Sequence, residues 1–426
     1  MSLPVIGFAG MTHLGLVSGV SASEKGFSLV CFDPIAERIS ALINGVLPVA
    51  EPQLDELLAK NASHLRFTSE PADLKSCDVI YVAPDVATDD LGQSDLQTIN
   101  SLLDVVFDVA RADAVIVVLS QVPPGFTRQR QRPGRQLFYQ VETLVFGKAV
   151  ERALYPERFI IGCADPGRSL PDAYSTFLEA HGCPLLPMRY ESAELAKISI
   201  NMCLVASVTV ANTLAELCEK IGADWSEIVP ALKLDKRIGE YSYLTPGLGI
   251  AGGNLERDLA TICNFAEKYE TDSGVVRAWL TNSEHRKSWP ISILRNTLFK
   301  GNPDPVIGIW GLAYKENTNS TKNSPALSAI KQLSHVRLKA YDPIVKWNPH
   351  WHTTGSLSSE ALDAVKEVDA LLILTPWPEF KSISVEEIKK AMRGRLVIDP
   401  YGMLPERNCT EAGLIVYTLG RAVVVR

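Results

Sequence analysis

The sequence predicts two doubly wound α/β domains, one at each end of the chain, joined by a helical segment built on one long helix. Three observations carry this expectation. Short, wholly apolar strand-like runs alternate with helix-like stretches at both ends, as in parallel sheets covered on both faces. The two ends repeat the same landmarks. Between them, Glu191 to Gly222 contains no proline and no internal glycine.

The elements follow in chain order. Val5-Ile6-Gly7-Phe8-Ala9-Gly10 reads as a buried strand entering a glycine turn. A helical stretch follows, then Leu29-Val30-Cys31-Phe32-Asp33-Pro34, a second strand closing on Asp-Pro. Near the other end, Val306-Ile307-Gly308-Ile309-Trp310-Gly311 and Leu338-Lys339-Ala340-Tyr341-Asp342-Pro343 repeat this arrangement. Later strands match as well: Asp78–Pro84 against Asp369–Pro376, and Ala114–Leu119 against Arg395–Asp399. In the middle, Leu195, Ile198, Met202, Val205, Val208, Leu214 and Leu217 recur at helical spacing and predict a single long helix. Further helices are expected over Trp225–Leu234, Leu255–Tyr269 and Val275–Leu298. These elements predict domains at 1–186, 187–300 and 301–426, with the helical middle as a homodimer interface.

Composition narrows the function classes. The chain has 426 residues, 46% hydrophobic and 21% charged, as expected of a soluble multidomain protein. A net charge of −7 argues against nucleic acid or an anionic membrane as the main partner. No uninterrupted apolar run reaches the length that spans a bilayer, and the N-terminus enters a strand directly, so a cytoplasmic location is expected. The eight cysteines are scattered, without a C-x-x-C pair, and most read as reduced core residues. No metal-ligand motif is present.

The first turn carries chemistry. Gly10-Met11-Thr12-His13-Leu14-Gly15 fits G-x-G-x-x-G with Thr12 at the second glycine. The first glycine permits a tight turn, the second lets backbone approach a pyrophosphate, and the third lets the helix pack on the strand. Phosphate then sits at the helix N-terminus, where backbone N–H groups lack intrahelical partners. Asp33 closes the second strand at about 20 residues' separation, where a carboxylate accepts from an adenosine ribose and favours NAD over NADP. Thr12 departs from the pattern, and a register through Gly7 and Gly10 is the alternative. The second copy lacks the fingerprint. Its Lys315 and Lys322, among the hydroxyls of Thr318, Thr321 and Ser324, suit a different anion such as a sugar-nucleotide diphosphate. The alternative there is a solvated polar loop.

Many segments in register resemble the UDP-glucose/GDP-mannose dehydrogenase family. They are Glu51-Pro52-x-Leu54-Asp55-Glu56-Leu57, Gly92-x-x-Asp95-Leu96, Ser120-x-Val122-Pro123-Pro124-Gly125 and Pro156-Glu157-Arg158-x-x-Ile161-Gly162. The likeness continues through Glu191-Ser192-Ala193-Glu194-x-x-Lys197-x-x-x-Asn201, Leu234-Asp235-x-Arg237-Ile238-Gly239, Gly311–Lys315, Ser324-Pro325-Ala326, Tyr341-Asp342-Pro343 and Trp377-Pro378-Glu379-Phe380. The resemblance implies a Rossmann-like NAD domain, a helical dimerisation domain and a Rossmann-like UDP-sugar domain. It implies oxidation of a sugar alcohol in two hydride transfers to NAD, through a cysteine thioester, usually toward polysaccharide precursors. On that basis Lys197, Asn201 and Asp258 hold the reacting oxygen and a water, and Glu142 assists hydrolysis. Gly10, Thr12, His13, Leu14, Gly15, Asp33, Ser120 and Gln121 would bind the dinucleotide. Arg237, Tyr243, Gly252, Lys315 and Lys322 would bind the nucleotide sugar, Arg237 reaching the neighbouring subunit of a homodimer.

The chain departs from the family at telling places. The family's G-F-G-G-S-C-F-P-K-D reads Gly249-Ile250-Ala251-Gly252-Gly253-Asn254-Leu255-Glu256-Arg257-Asp258. The nucleophilic cysteine is Asn254, and an amide forms no thioester. Cys263 lies further along the following helix and reads as core. The family's second glutamate near the nicotinamide is Phe146, Gln121 replaces a threonine, and D-G-R-N becomes Asp399-Pro400-Tyr401-Gly402. Residues 128–140 are unusually basic and are expected on the surface of the cofactor domain, with a phosphate role as the alternative. Three functions follow. The first is a dehydrogenase that stops at the carbonyl. The second is an acid-forming dehydrogenase that works through the aldehyde hydrate, with Glu142 as base. The third is a weakly catalytic regulatory homologue that binds both nucleotides.

Overall fold

The computed structural model describes residues 3–87, 89 and 93–423; Gly92 and the two chain ends lie outside them. The chain divides into two compact units, Met1–Ile200 and Asn201–Arg426.

The amino-terminal unit is built on eight strands: β1 (Ile6–Ala9), β2 (Leu29–Phe32), β3 (Leu65–Thr68), β4 (Val79–Val82), β5 (Val115–Val118), β6 (Gln136–Gln140), β7 (Phe159–Cys163) and β8 (Leu185–Arg189). Their order is β3-β2-β1-β4-β5-β6-β7-β8. All neighbours pair parallel except β6 with β7. The first, second, fourth and fifth strands are buried along their whole length, which is why they read as continuous apolar runs instead of alternating ones. Helices and two apolar clusters cover the two faces.

The carboxyl-terminal unit has six strands: β9 (Val306–Trp310), β10 (Arg337–Tyr341), β11 (Gly355–Leu357), β12 (Ala370–Ile373), β13 (Leu396–Ile398) and β14 (Ile415–Tyr417). They are ordered β11-β10-β9-β12-β13-β14, all parallel. Both sheets therefore contain the doubly wound order in which ligands bind beyond the carboxyl ends of the strands, where the winding reverses.

The repeat seen in the sequence is physical. Asp33 accepts the Met11 N–H at 2.7 Å and the Ile35 N–H at 3.0 Å. In the second sheet, Asp342 accepts the Leu312 N–H at 2.7 Å and the Ile344 N–H at 2.9 Å. Each aspartate thus pins the residue after its glycine turn to the end of the neighbouring strand. Asp78 and Asp369 repeat a second device: each accepts the N–H of the residue that begins or precedes its central strand, Val5 and Val306, at 2.9 Å.

The long helix runs Tyr190–Ile221, 32 residues, as the periodicity predicts. Among the described residues it alone is long and apolar enough on average to cross a membrane; Ser, Thr and Asn break its apolar residues into short runs. Trp225–Leu234 is a helix as expected, and Leu255–Tyr269 appears as Asn254–Lys268. The expected Val275–Leu298 helix is two, Gly274–Lys287 and Trp289–Asn296. Pro290 causes the break: it lacks an N–H and takes a first-turn position of the second helix.

The basic segment is spent within its own unit. Arg135 donates to the carbonyls of Phe107, Ala110 and Arg111, capping the C-terminal end of helix Gln97–Val109. Arg130 and Arg132 pair with Asp104, and Arg128 with Glu191. These arginines thus have partners within the amino-terminal unit, and Arg128, Arg130 and Arg132 remain partly exposed at its surface, where the sequence places them. All eight cysteines are free; five are buried, in line with the expectation that most are core, and Cys203 is exposed.

Candidate functional site

In the amino-terminal unit, the turn between β1 and helix His13–Glu24 has the geometry of a phosphate cradle. Gly10 has φ +100°, and a β-carbon there would fall 2.8 Å from the Pro84 nitrogen. A β-carbon on Gly15 would fall 1.9 Å from the Gly10 carbonyl oxygen, so glycine alone lets the helix approach the turn. Gly7 lies inside β1, which settles the register on Gly10, Thr12 and Gly15. Thr12 precedes the helix, and its hydroxyl accepts the Asp85 N–H at 2.7 Å, linking the turn to the loop after β4. Leu14 faces the core beside it. These features fit a dinucleotide pyrophosphate at the helix N-terminus.

The edges of this cradle are also built. Ser120, fully buried after β5, donates to the Pro84 carbonyl at 2.5 Å and ties two strand ends together, with Gln121 partly exposed beside it. Asp33 is almost wholly buried and also receives Arg38 at 2.6 Å. Arg38 was missed in the sequence; its place five residues after Asp33 was the available signal. His13 is buried, bonded through Nε2 to Glu51 at 2.9 Å, and stacked on Phe146 at 4.2 Å between ring centroids. Glu51 also accepts the Gly147 and Ala149 N–H groups, so one buried carboxylate fixes the helix start and the Phe146 loop.

The same unit brings Lys197 and Glu142 together. Lys197 Nζ lies 2.7 Å from Glu142 Oε1, and Glu142 Oε2 accepts the Leu144 N–H at 3.0 Å. Glu194, one turn before Lys197 on the long helix, accepts the Gly125 N–H at 2.5 Å and the Thr127 N–H at 2.8 Å. It anchors the Ser120–Gly125 segment. Burial pushes its carboxyl up in pKa even though these donors pull the other way.

In the carboxyl-terminal unit, Asn201 and Asp258 meet. The Asn201 side-chain amide donates to Asp258 Oδ2 at 2.5 Å, and Arg257 Nε lies 3.3 Å from Oδ1. All three are buried. Asn254 opens helix Asn254–Lys268 and is exposed, one turn before Asp258. The glycine loop that leads into it packs against the polar loop after β9. Gly252 has φ +81°, donates its N–H to the Lys322 carbonyl at 3.2 Å, and would place a β-carbon 3.0 Å from the Tyr314 ring. The Lys322 side chain passes Gly253, and the Lys315 ammonium lies 5.8 Å from the Tyr314 ring centroid. Lys322 thus stands beside the glycine loop, and Lys315 beside the tyrosine that packs on it.

A crevice of about 640 Å³ opens at the carboxyl ends of the second sheet. Asn317, Pro376, Tyr401 and Thr418, from the loops after β9, β12, β13 and β14, line it together with Trp225 and Arg421. Arg421 is held by Asp224 at 2.9 Å and donates to the Ser226 hydroxyl at 2.8 Å. No motif pointed to Arg421 or Trp225; only the altered Asp399–Gly402 segment marked this region. Arg237 and Tyr243 stay outside these clusters. Arg237 forks onto Asp235 and its side chain is 88% exposed, and Tyr243 is also exposed.

A glycine cradle on one sheet, a nucleotide-sized crevice on another and a buried Asn–Asp pair define a class: dehydrogenases that take a hydride from an alcohol to NAD. The chain belongs to the UDP-glucose/GDP-mannose dehydrogenase family. It matches that family's NAD binding domain over residues 4–177, its central domain over 191–284 and its UDP binding domain over 308–406. It is 30% identical to the UDP-glucose 6-dehydrogenase of Rickettsia conorii, over 98% of this chain and 100% of that one. The fold is that of the UDP-D-ManNAc dehydrogenase of Pyrococcus horikoshii (TM-score 0.84, 24% identity, 99% and 100% of the two chains). A UDP-glucose dehydrogenase of Pyrobaculum islandicum matches with the same TM-score, 23% identity and 99% and 98% coverage. The protein is an NAD-dependent oxidoreductase that acts on the CH–OH group of a nucleotide sugar.

Proposed function

We propose that this chain oxidises the alcohol of a UDP-sugar without a covalent thioester, with Lys197, Asn201, Asp258 and Glu142 as its catalytic group. The observation that carries this reading is the glycine loop. Asp258 keeps its buried amide partner, while the first helical position before it holds an exposed Asn254. On this reading the alcohol-activating pair is kept, and Asn254 stands where the family's nucleophile would be. Lys197 and Asn201 come from successive turns of one helix, the spacing at which side chains share a face. An ammonium and an aspartate can steady a developing alkoxide and take up its proton. The glycine cradle would hold NAD, which accepts the hydride; Lys315 and Lys322 would hold the diphosphate, and the crevice at Tyr401 the nucleoside.

The proposed organisation has domains at 1–186, 187–300 and 301–426, and a homodimer. Val210, Leu214, Leu217 and Ile221 make an exposed apolar stripe on the long helix, the kind of face that a second copy covers. Arg237, extended from its own subunit, would then serve the neighbour's substrate. A second reading is a regulatory homologue that binds both ligands without turnover; the stack of Phe146 on His13 beside the cradle favours it. The test is to alkylate the protein's accessible thiols and assay NADH formation against UDP-, GDP- and dTDP-sugars. Turnover that survives alkylation supports the thiol-free reading. Turnover lost on alkylation overturns it, and binding of both ligands without NADH supports the regulatory one.

A further inference from the structure

A cavity of about 60 Å³ lies in the amino-terminal unit, on one face of the first sheet. Its floor is the buried Phe8 and Tyr81 of the central strands. Leu14, Ser18 and Ala22 form one wall, successive turns of the helix that begins at the glycine cradle. Its roof is the segment 141–144, which includes Glu142. At the mouth stand the half-buried Ala153, Pro156 and His181.

The lining is mixed in chemistry, and that decides what fills it. Small cavities lined only by apolar groups stay dry, whereas a water needs two to four polar partners and roughly 10–15 Å³ of such space; by that measure the cavity has room for about four to six waters. Polar residues are among those that line it. The Gln140 carbonyl accepts the hydroxyls of Tyr81 at 2.9 Å and Tyr174 at 3.0 Å, which leaves its amide nitrogen to donate. Ser18, Thr143 and Glu142 add oxygens, and Arg152 is fixed at the rim by donating to the Thr143 carbonyl at 2.6 Å. Glu142, whose carboxylate is paired with Lys197, is thus one of the residues that line the cavity.

We infer that this cavity is a water chamber that supplies Glu142, so that oxidation proceeds past the aldehyde to the acid through a hydrate. The inference rests on the proposed dehydrogenase reading. Water attacks the aldehyde carbon and the new C–O bond forms. The water's proton goes to Glu142, and the carbonyl oxygen takes a proton from the Lys197 ammonium 2.7 Å away from that carboxylate, giving the gem-diol. Loss of a hydride from that carbon to a second NAD, and of a hydroxyl proton to solvent, leaves the acid. No thiol is needed at any step.

Filling the chamber should starve the second oxidation and spare the first. Ser18→Leu and Ala153→Leu fill it from two different helices, and Ser18→Ala leaves it open. Wild type and Ser18→Ala are expected to release two equivalents of NADH per sugar and the acid. The filled variants should release roughly tenfold more trapped aldehyde per acid, a partial loss of general-base help, with the first NADH equivalent formed as fast as in wild type. An unchanged aldehyde-to-acid ratio in folded variants overturns the inference, as does a wild type that stops at one equivalent. A crystal structure of the wild type is independent of the variants: ordered water on Glu142 is expected, and a dry chamber overturns the inference. A wild type that forms no NADH from any nucleotide sugar defeats the dehydrogenase reading itself.

Discussion

Asn201 and Asp258 are joined by a 2.5 Å hydrogen bond between buried side chains that are 57 residues apart in the chain. The donor lies on the long helix and the acceptor on the helix that follows the glycine loop. The amide orients the carboxylate and satisfies an acceptor that would otherwise be costly to bury. Asp258→Asn should lower kcat roughly 10²–10⁴-fold, the range for losing a positioned acid–base group. Calorimetric affinities for NAD and UDP should stay close to wild type. Asn201→Ala should instead cost about 1–3 kcal/mol of stability, because it removes a hydrogen bond to a buried carboxylate; thermal denaturation reads this.

The glycine cradle makes a separate prediction. Gly10→Ala places a methyl 2.8 Å from the Pro84 nitrogen and forces φ +100° on a residue with a β-carbon. Strain of this kind costs about 1–3 kcal/mol. NAD affinity should fall while UDP affinity, carried by the other unit, stays unchanged. Equal loss of both would mean that the variant unfolds the protein and does more than close the cradle.

Asn254→Cys would put a thiol at the first turn of an exposed helix N-terminus, where unpaired N–H groups and the helix dipole favour thiolate. It should react with iodoacetamide faster than exposed Cys203. During turnover with NAD, intact-protein mass spectrometry should show a sugar adduct that is absent in wild type. A thiol that reacts no faster than Cys203 would contradict the exposed position.

Stability should depend on pH through His181. Burial between Phe159 and Phe177 lowers its pKa below the ordinary 6.5. The unfolded chain therefore binds this proton more readily than the folded one. The contribution is present above about pH 6.5 and is lost as pH falls through the lowered value. His181→Phe should flatten the fall in melting temperature between pH 7.5 and 5.5; an unchanged slope would place the acid sensitivity elsewhere.

Much of the architecture was legible because the same physical constraint was written twice. Gly10 with Asp33 and Gly311 with Asp342 solve one problem, a strand that must turn sharply into a covering segment while a carboxylate holds the turn. The long helix was legible from period alone. What escaped depended on partners distant in sequence. The partners of the arginines of 128–135 could not be read from the segment, because their acceptors, Asp104, Glu191 and three helix-end carbonyls, lie elsewhere in the chain. The break at Ser288 was missed because apolar spacing continues through it. The crevice at Tyr401 is assembled from four strand ends and Arg421, so no local motif could announce it. At the candidate site, Lys197, Asn201, Asp258 and Glu142 all came from family likeness; spacing along one helix added only that Lys197 and Asn201 share a face.

The most direct test follows the hydride itself. UDP-sugars carrying deuterium at the carbinol carbon should be mixed with the purified protein and NAD, and the nicotinamide product examined by mass spectrometry. The account predicts deuterium in the NADH formed, and its loss when Asp258 is replaced by Asn. Saturating binding of both ligands with no labelled NADH would contradict it.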